Sequence, residues 1–133
     1  MKELSIEARL KNLDTVQSFV AEELGLSGCS LKQQMQISVA VEEIFVNIVS
    51  YAYKPAFGGA TIRVWADQDV CIEFEDSGKP YNPLETKTPD ITKGAIEREI
   101  GGLGVFMVKS VMDTLEYKYV DGKNVLLMRK KLA

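Results

Sequence analysis

A carboxylate and an amide stand four residues apart in a long apolar stretch of this chain. Glu43 and Asn47 are about one helical turn apart, so on a helix both side chains would lie on the same face. An asparagine oxygen can bind a hydrated Mg²⁺ ion, and a carboxylate one turn away can accept a proton from a hydroxyl group. The alternative is an ordinary polar pair on a helix surface. Glu42 competes for the role of base, but it lies about 100° round the helix, off this face.

Two later segments contain the glycines that a nucleotide site would need. A predicted strand ends at Asp76 and is followed by Ser77 and Gly78. The aspartate could accept a hydrogen bond from a base, and Gly78 would let the base lie against the backbone. Gly101-Gly102-Leu103-Gly104 opens a predicted helix, where unpaired N–H groups bind phosphate oxygens. The simpler alternatives are a turn and a loop that enters a helix. In this order and spacing, the three segments predict an ATP site.

The composition excludes several classes of function. The net charge of −3 gives no electrostatic case for nucleic-acid binding, and the absence of histidine excludes Ser-His-Asp triads and histidine-ligated zinc. Cys29 and Cys71 lie far apart without a CxxC motif, so we expect free thiols in a reducing cytoplasm. We expect no membrane span, because no segment approaches about 18 consecutive apolar residues. The length favours a single domain over residues 1–133.

Hydrophobic periodicity predicts the elements that must position these segments. The predicted order is strand, helix, helix, two strands, loop, helix and two strands, over residues 4–10, 13–24, 31–53, 61–66, 70–76, 103–112, 115–120 and 124–132. Gly25 suits the end of the first helix, and Ser30 suits the start of the second. The loop, about residues 80–101, is long enough to be a functional lid. Hairpin-linked strands with helices between them predict an α+β two-layer sandwich.

The second helix is predicted to be central, because apolar residues wrap nearly its whole circumference. They include Met35, and the polar or small stripe that interrupts them contains Glu43 and Asn47. Such a stripe on a buried helix should face a cavity, since its polar groups need partners. Strand alternation also predicts that Asp76 points toward the helices. Trp65 falls on the opposite face of the sheet, either as half-covered surface or as part of a dimer contact.

These motifs resemble a known family. Glu-x-x-x-Asn, Asp-x-Gly-x-Pro and Gly-Gly-Leu-Gly look like the three boxes of the superfamily of gyrase, heat-shock chaperone, histidine-kinase and mismatch-repair ATPases. The bacterial anti-sigma factor serine/threonine kinases are the most similar branch. The likeness to that branch also includes Ala40 to Ile48, Val105 to Val108, Val111-Met112-Asp113, Tyr117 and Gly122 to Leu127.

The resemblance implies a Bergerat-type ATP-binding fold with a mixed, mostly antiparallel sheet and an ATP lid. It implies Glu43 as general base, Asn47 as ligand of Mg²⁺, and Asp76 with Gly78 at the adenine. It places Gly101, Gly102, Leu103 and Gly104 along the phosphates. It further implies a homodimer that phosphorylates a small anti-anti-sigma (STAS-type) protein and holds a sigma factor, without direct contact with nucleic acid or membrane.

Two departures from that branch keep an alternative open. Tyr51 stands where many anti-sigma relatives carry a histidine. The first predicted helix lacks the arginine that relatives use for partner contact, with Gln17 near that place. The alternative is a nucleotide-sensing protein that sequesters its partner and transfers no phosphate, and a plain hydrolase is a third option.

Overall fold

The computed structural model describes residues 1–53, 56–85 and 102–132, with the backbone alone for residues 102–104. Most of the predicted lid, Gly101 and the side chain of Leu103 therefore lie outside the described residues. Within the described ranges every predicted helix and strand is present. They are β1 (Lys2–Glu7), α1 (Leu13–Leu26), α2 (Leu31–Asn47), β2 (Gly59–Ala66), β3 (Asp69–Asp76), α3 (Gly102–Val111), β4 (Thr114–Val120) and β5 (Lys123–Lys131).

The five strands form one sheet in the order β1-β2-β3-β5-β4. All pairings among these strands are antiparallel, where the resemblance implied a mixed, mostly antiparallel sheet. The β4–β5 hairpin turns through Asp121 and Gly122, whose φ angles of 53° and 75° match the right-handed twist of the flanking strands. This register places Asn124 of β5 directly opposite Asp76 of β3.

The core lies between one face of the sheet and the helices. Ile62, Phe74 and Leu126 are neighbours across β2, β3 and β5, and all three are buried. Helix α2 contributes fully buried Ile37 and Phe45 to the same cluster. The α+β two-layer sandwich predicted from the sequence is confirmed, and Asp76 points to the helix side as predicted.

Helix α2 starts where the sequence predicts but is more amphipathic than predicted. Ser30 accepts a hydrogen bond from the Gln33 backbone N–H, and the Gln33 side chain accepts one from the Ser30 backbone N–H. Leu31 and Met35 are 78% and 72% exposed, so the prediction that Met35 belongs to a buried surface is wrong. Among the described residues, nothing covers this side of α2 near its N-terminus.

The helical stretch Leu31–Ala52 is long and apolar enough, by length and composition alone, to cross a membrane, contrary to our expectation. The same properties suit a core helix, because a helix packed between a sheet and two other helices must be apolar on several sides. In this fold α2 packs against α1 and α3, and its C-terminal half is mostly buried. Its packing in the sandwich therefore accounts for its composition.

The glycine at the end of α1 is a different one from that predicted. The helix continues through Gly25 to Leu26, and Gly28 adopts the left-handed conformation, with a φ of 81°. Apolar packing decides the boundary, because Leu24 is buried and keeps the last turn against the core. Cys29 and Cys71 are both free and buried, as the sequence predicts.

Candidate nucleotide site

Asn47 lies at the point where α2 changes its hydrogen-bonding pattern. The α-helix ends at Asn47, and a single π-helical turn, Ile48–Ala52, continues the chain. Such turns are rare and frequently occur at functional sites. The Asn47 side chain is 5% exposed, and its Nδ2 is the only fully buried side-chain polar atom of the described residues that has no hydrogen-bond partner. Because a buried amide N–H without a partner costs free energy, this atom indicates that a ligand completes the site.

Glu43 stands one turn before Asn47 and is half-buried. Burial raises the pKa of its carboxyl above the usual range, and the negative charge of Glu42 raises it further. Among the described residues, no group donates a hydrogen bond to Glu43, so its carboxylate is free to accept one from a substrate. Glu42 itself is exposed.

Asp76 ends β3 on the inner face of the sheet and is 7% exposed. Its Oδ1 accepts two hydrogen bonds, from the Gly78 backbone N–H and from Nδ2 of Asn124, each at 2.9 Å. Burial raises the pKa of this carboxyl, while these two hydrogen bonds act in the opposite direction. Glu75 adds a smaller contribution that raises the pKa.

Asn124 is buried, at 6% exposed, and connects Asp76 to the segment that follows it. Its Nδ2 also donates to the carbonyl oxygen of Lys79 at 2.9 Å. Its Oδ1 accepts from the Tyr81 backbone N–H at 3.0 Å and from the Tyr117 hydroxyl group. One side chain therefore links the strand that carries Asp76, the loop after it and β4.

The turn after Asp76 is hydrogen-bonded to the end of the π-helical turn that follows α2. The Lys79 backbone N–H donates to the Ala52 carbonyl oxygen at 3.0 Å. A Cβ at Gly78 would lie 2.2 Å from the same oxygen, so only glycine fits here. The Tyr53 hydroxyl accepts from the Ser77 backbone N–H at 2.7 Å and donates to a carbonyl oxygen of β2. The Asp76 turn and the Asn47 helix thus form one rigid unit.

Asn47 and Asp76 line the same cavity. The other lining residues are mostly apolar or aromatic: Ile44, Ile48, Ala52, Phe74, Tyr81, Pro83, Tyr117, Asn124 and Leu126. The free space is about 30 Å³, room for about one water molecule, whereas ligand pockets usually exceed about 300 Å³. A nucleotide base therefore requires the cavity to widen. Tyr81 forms one wall, and its ring stacks on Tyr51 with centroids 5.1 Å apart.

The structure brings together part of the predicted site. Asn47 and Asp76 share the cavity, and Gly78 supports the turn beside it. Glu43 does not line this cavity but lies one turn along the same helix. Gly102 begins α3, which confirms that the glycine segment opens a helix. The roles assigned to these residues stay predictions.

Sequence reasoning missed Asn124 and Tyr81 as site residues. Asn124 appeared only within the terminal stretch that resembles the family. A signal was available, because strand alternation puts Asn124 on the same face as Leu126 and Met128, and a polar residue on an apolar face needs partners. Tyr81 lies in a loop without periodicity, so its place in the cavity could not be predicted.

The donor set fits Mg²⁺ held mainly by a nucleotide. Among the described residues, no group of three His, Cys, Asp or Glu side chains could hold a metal ion by itself. Magnesium usually keeps several waters and takes few protein ligands beside phosphate oxygens. Asn47 lines the cavity, and its side-chain oxygen can supply one ligand from the protein.

Comparison with known families identifies the fold that carries this site. The model of the histidine kinase-like ATPase domain matches residues 6–130. The chain belongs to this family. This match confirms the family that the three sequence boxes predicted.

Individual members of the family are similar over most of their length. An anti-sigma F factor of Caldanaerobacter subterraneus is 27% identical over 132 residues, which cover 98% of this chain and 92% of the relative. The serine-protein kinase RsbW of Bacillus mycoides is 26% identical over 132 residues, 96% of this chain and 82% of the relative. The serine/threonine-protein kinase BtrW of Bordetella bronchiseptica is 26% identical over 107 residues, 78% of this chain and 75% of the relative.

A solved structure supports the same fold for this family member. The RsbU and RsbW domains of a Mycobacterium tuberculosis protein match with a TM-score of 0.63 and 18% identity. The match covers 99% of this chain and 33% of that longer chain. At this identity the likeness shows the fold alone.

Proposed function

We propose that this histidine kinase-like ATPase domain is an ATP-dependent protein serine/threonine kinase that phosphorylates a small anti-anti-sigma protein of the STAS type. The observation that carries the proposal is the pairing of Asn47, with its unpaired buried amide, and Asp76 in one cavity, with Glu43 one turn away. The relatives named as an anti-sigma factor and as serine-protein kinases support this choice of activity.

The chain's residues take distinct roles in this mechanism. Asp76 accepts a hydrogen bond from the adenine amino group, and the N–H groups at Gly101, Gly102, Leu103 and Gly104 receive the phosphates. Asn47 holds Mg²⁺, which when bound neutralises charge on the transferring phosphoryl group.

Glu43 acts on the acceptor serine. Its carboxylate takes the hydroxyl proton while the serine oxygen bonds to the γ-phosphorus, and the bond from that phosphorus to the β–γ bridging oxygen breaks to release ADP. The raised pKa of Glu43 suits a general base, because a more basic carboxylate accepts the proton more readily near neutral pH.

The decisive experiment compares Glu43→Gln with Glu42→Gln, a neighbouring carboxylate on another side of the helix. Calorimetry with ATP and Mg²⁺ measures binding, and mass spectrometry of a co-encoded anti-anti-sigma protein measures transfer. We expect Glu43→Gln to bind ATP within a few-fold of wild type and to transfer phosphate about 10²–10⁴ times more slowly. Glu42→Gln removes only the smaller of the two causes that raise the pKa of Glu43, so it should transfer phosphate within a few-fold of wild type. Absence of transfer by the wild-type protein with ATP and Mg²⁺ would refute the kinase proposal.

A second candidate is a protein that senses nucleotide and sequesters its partner without transfer. The observation that favours it concerns Gln17, near the position of the partner-contact arginine in relatives. Its Nε2 donates to the Ser38 carbonyl oxygen at 2.9 Å, and its Oε1 accepts from the Ser38 hydroxyl at 3.1 Å. Gln17 therefore joins α1 to α2 and does not reproduce the arginine contact that relatives make with the partner, which leaves room for a different mode of partner binding. Partner binding that depends on ATP, with no phosphoprotein formed, would support this candidate.

We also propose that the kinase is a homodimer, as the resemblance implies. The half-covered Trp65 on the outer face of the sheet is a candidate contact residue. Light scattering should give twice the 14.8 kDa chain mass. A mass equal to that of one chain at micromolar concentration would contradict the proposal.

A further inference from the structure

The orientation of the Asn124 amide is determined by two backbone groups. The Tyr81 N–H can only donate, so the side-chain oxygen of Asn124 must face it. The Lys79 carbonyl oxygen can only accept, so the side-chain nitrogen must face that group. Amide orientation is often ambiguous. Here the opposite arrangement would set the amide nitrogen against the Tyr81 N–H and the amide oxygen against two acceptors, the Lys79 carbonyl oxygen and Oδ1 of Asp76.

This orientation determines which oxygen of Asp76 is available to a ligand. Nδ2 of Asn124 and the Gly78 N–H both donate to Oδ1, which leaves that oxygen with two partners. Oδ2 accepts no hydrogen bond from the described residues, and it is not fully buried. Asp76 lines the Asn47 cavity and also an open groove bordered by Ser77 and Thr61, and Oδ2 is its one oxygen without a hydrogen-bond partner among the described residues.

A further contact and the strand register make Asn124 a rigid support for Asp76. The Tyr117 hydroxyl donates to Oδ1 of Asn124 from the neighbouring strand β4, and Asn124 is itself only 6% exposed. The register of β3 and β5 sets Asn124 directly opposite Asp76. With two donors on its oxygen and two close acceptors on its nitrogen, the Asn124 amide has no freedom to rotate.

We propose that Asn124 is the positioning residue that makes this site select a purine with an amino group at C6, by holding Oδ1 of Asp76 so that Oδ2 is left for the base. The inference rests on the proposed function, because it takes ATP as the ligand. Asn124 lines the cavity, but protein partners occupy its polar atoms, so in this scheme it acts through Asp76. Tyr117 supports it in turn by donating to the Asn124 amide.

The test compares ATP with ITP, whose base carries a carbonyl oxygen in place of the amino group. Calorimetry with Mg²⁺ gives the ratio of the two dissociation constants. We expect wild type to prefer ATP by about 10–100-fold, the range for a hydrogen bond to a charged group. Asn124→Ala should reduce this preference to less than about threefold, chiefly by weakening ATP binding. A loss of packing alone would weaken both nucleotides equally and leave the ratio unchanged.

Two further variants keep the proposal testable if Asn124→Ala does not fold. Tyr117→Phe removes one donor to Asn124 but keeps the ring, and we expect a preference between that of wild type and of Asn124→Ala. Lys118→Ala, an exposed neighbour on the same strand, should keep the wild-type ratio. If Asn124→Ala, or Tyr117→Phe where the former does not fold, keeps the wild-type ratio, the inference is wrong. Failure of wild type to bind ATP would instead refute the proposed function.

Discussion

Replacing Gly78 by alanine should damage both the stability of the protein and its nucleotide site. The added Cβ would lie 2.2 Å from the Ala52 carbonyl oxygen and 2.6 Å from its carbonyl carbon, where ordinary contacts begin at 3.4 Å. The neighbouring atoms are backbone, so the turn must move by about 1 Å relative to the helical segment. Such a shift breaks the 3.0 Å hydrogen bond from the Lys79 N–H to Ala52.

Two terms add to the expected cost of Gly78→Ala. Overpacking costs about 1–3 kcal/mol, and an unpaired buried backbone group costs about 1–3 kcal/mol. We therefore expect a loss of about 2–6 kcal/mol from the free energy of unfolding. A domain of this size has roughly 5–15 kcal/mol in total. Because Gly78 donates to Asp76, the moved turn should also weaken ATP binding.

Gly25→Ala is the matched control, since it makes the same chemical change inside α1. No atom lies within 4 Å of its added Cβ. Alanine there should stabilise the protein by about 0.5–1 kcal/mol. Urea unfolding measures both free energies, and calorimetry with ATP and Mg²⁺ measures the site. If Gly78→Ala unfolds at the urea concentration of wild type and binds ATP equally well, the close contact with Ala52 does not constrain this turn.

Three other substitutions test separate parts of the fold. Asp76→Asn should stabilise the protein at pH 7 and progressively less toward acid pH, as urea unfolding from pH 4 to 8 would show. Burial raises the pKa of Asp76, so the native carboxyl favours its neutral form. The free energy of unfolding of the wild type therefore falls as pH rises through that pKa, and asparagine, which carries no charge, avoids this loss. An equal effect at every pH would contradict it. Tyr53→Phe removes the hydrogen bonds to Ser77 and Gly59 and should lower the free energy of unfolding in urea by about 1–3 kcal/mol. An unchanged urea midpoint would show that water replaces the hydroxyl group. Ser30→Ala removes the cap of α2 and should cost about 0.5–2 kcal/mol, read as a lower Tm, whereas an unchanged Tm would show that the cap is unimportant.

Much of the fold follows from local patterns in the sequence. Alternation predicted the strands and put Asp76 on the helix side, and the 3.6-residue period predicted the helices, because these patterns are repeated over many residues. The spacing of Glu43 and Asn47 placed both on one helix face, and the glycines predicted the opening of α3. These features depend on covalent geometry and on the period of each element.

The remaining features depend on which distant segments meet. Met35 is exposed because the number of layers covering α2 is a property of the assembled sandwich, not of its pattern. Asn124 reaches Asp76 only because β5 inserts between β3 and β4, which joins residues 48 positions apart. Gly78 is required by the carbonyl oxygen of Ala52, a contact between a turn and a helix end that no local spacing encodes. Local patterns along the chain specify the elements and the chemistry they carry. The partners of these groups depend on strand order and on the packing of the helices, because both bring together residues that are remote in the chain.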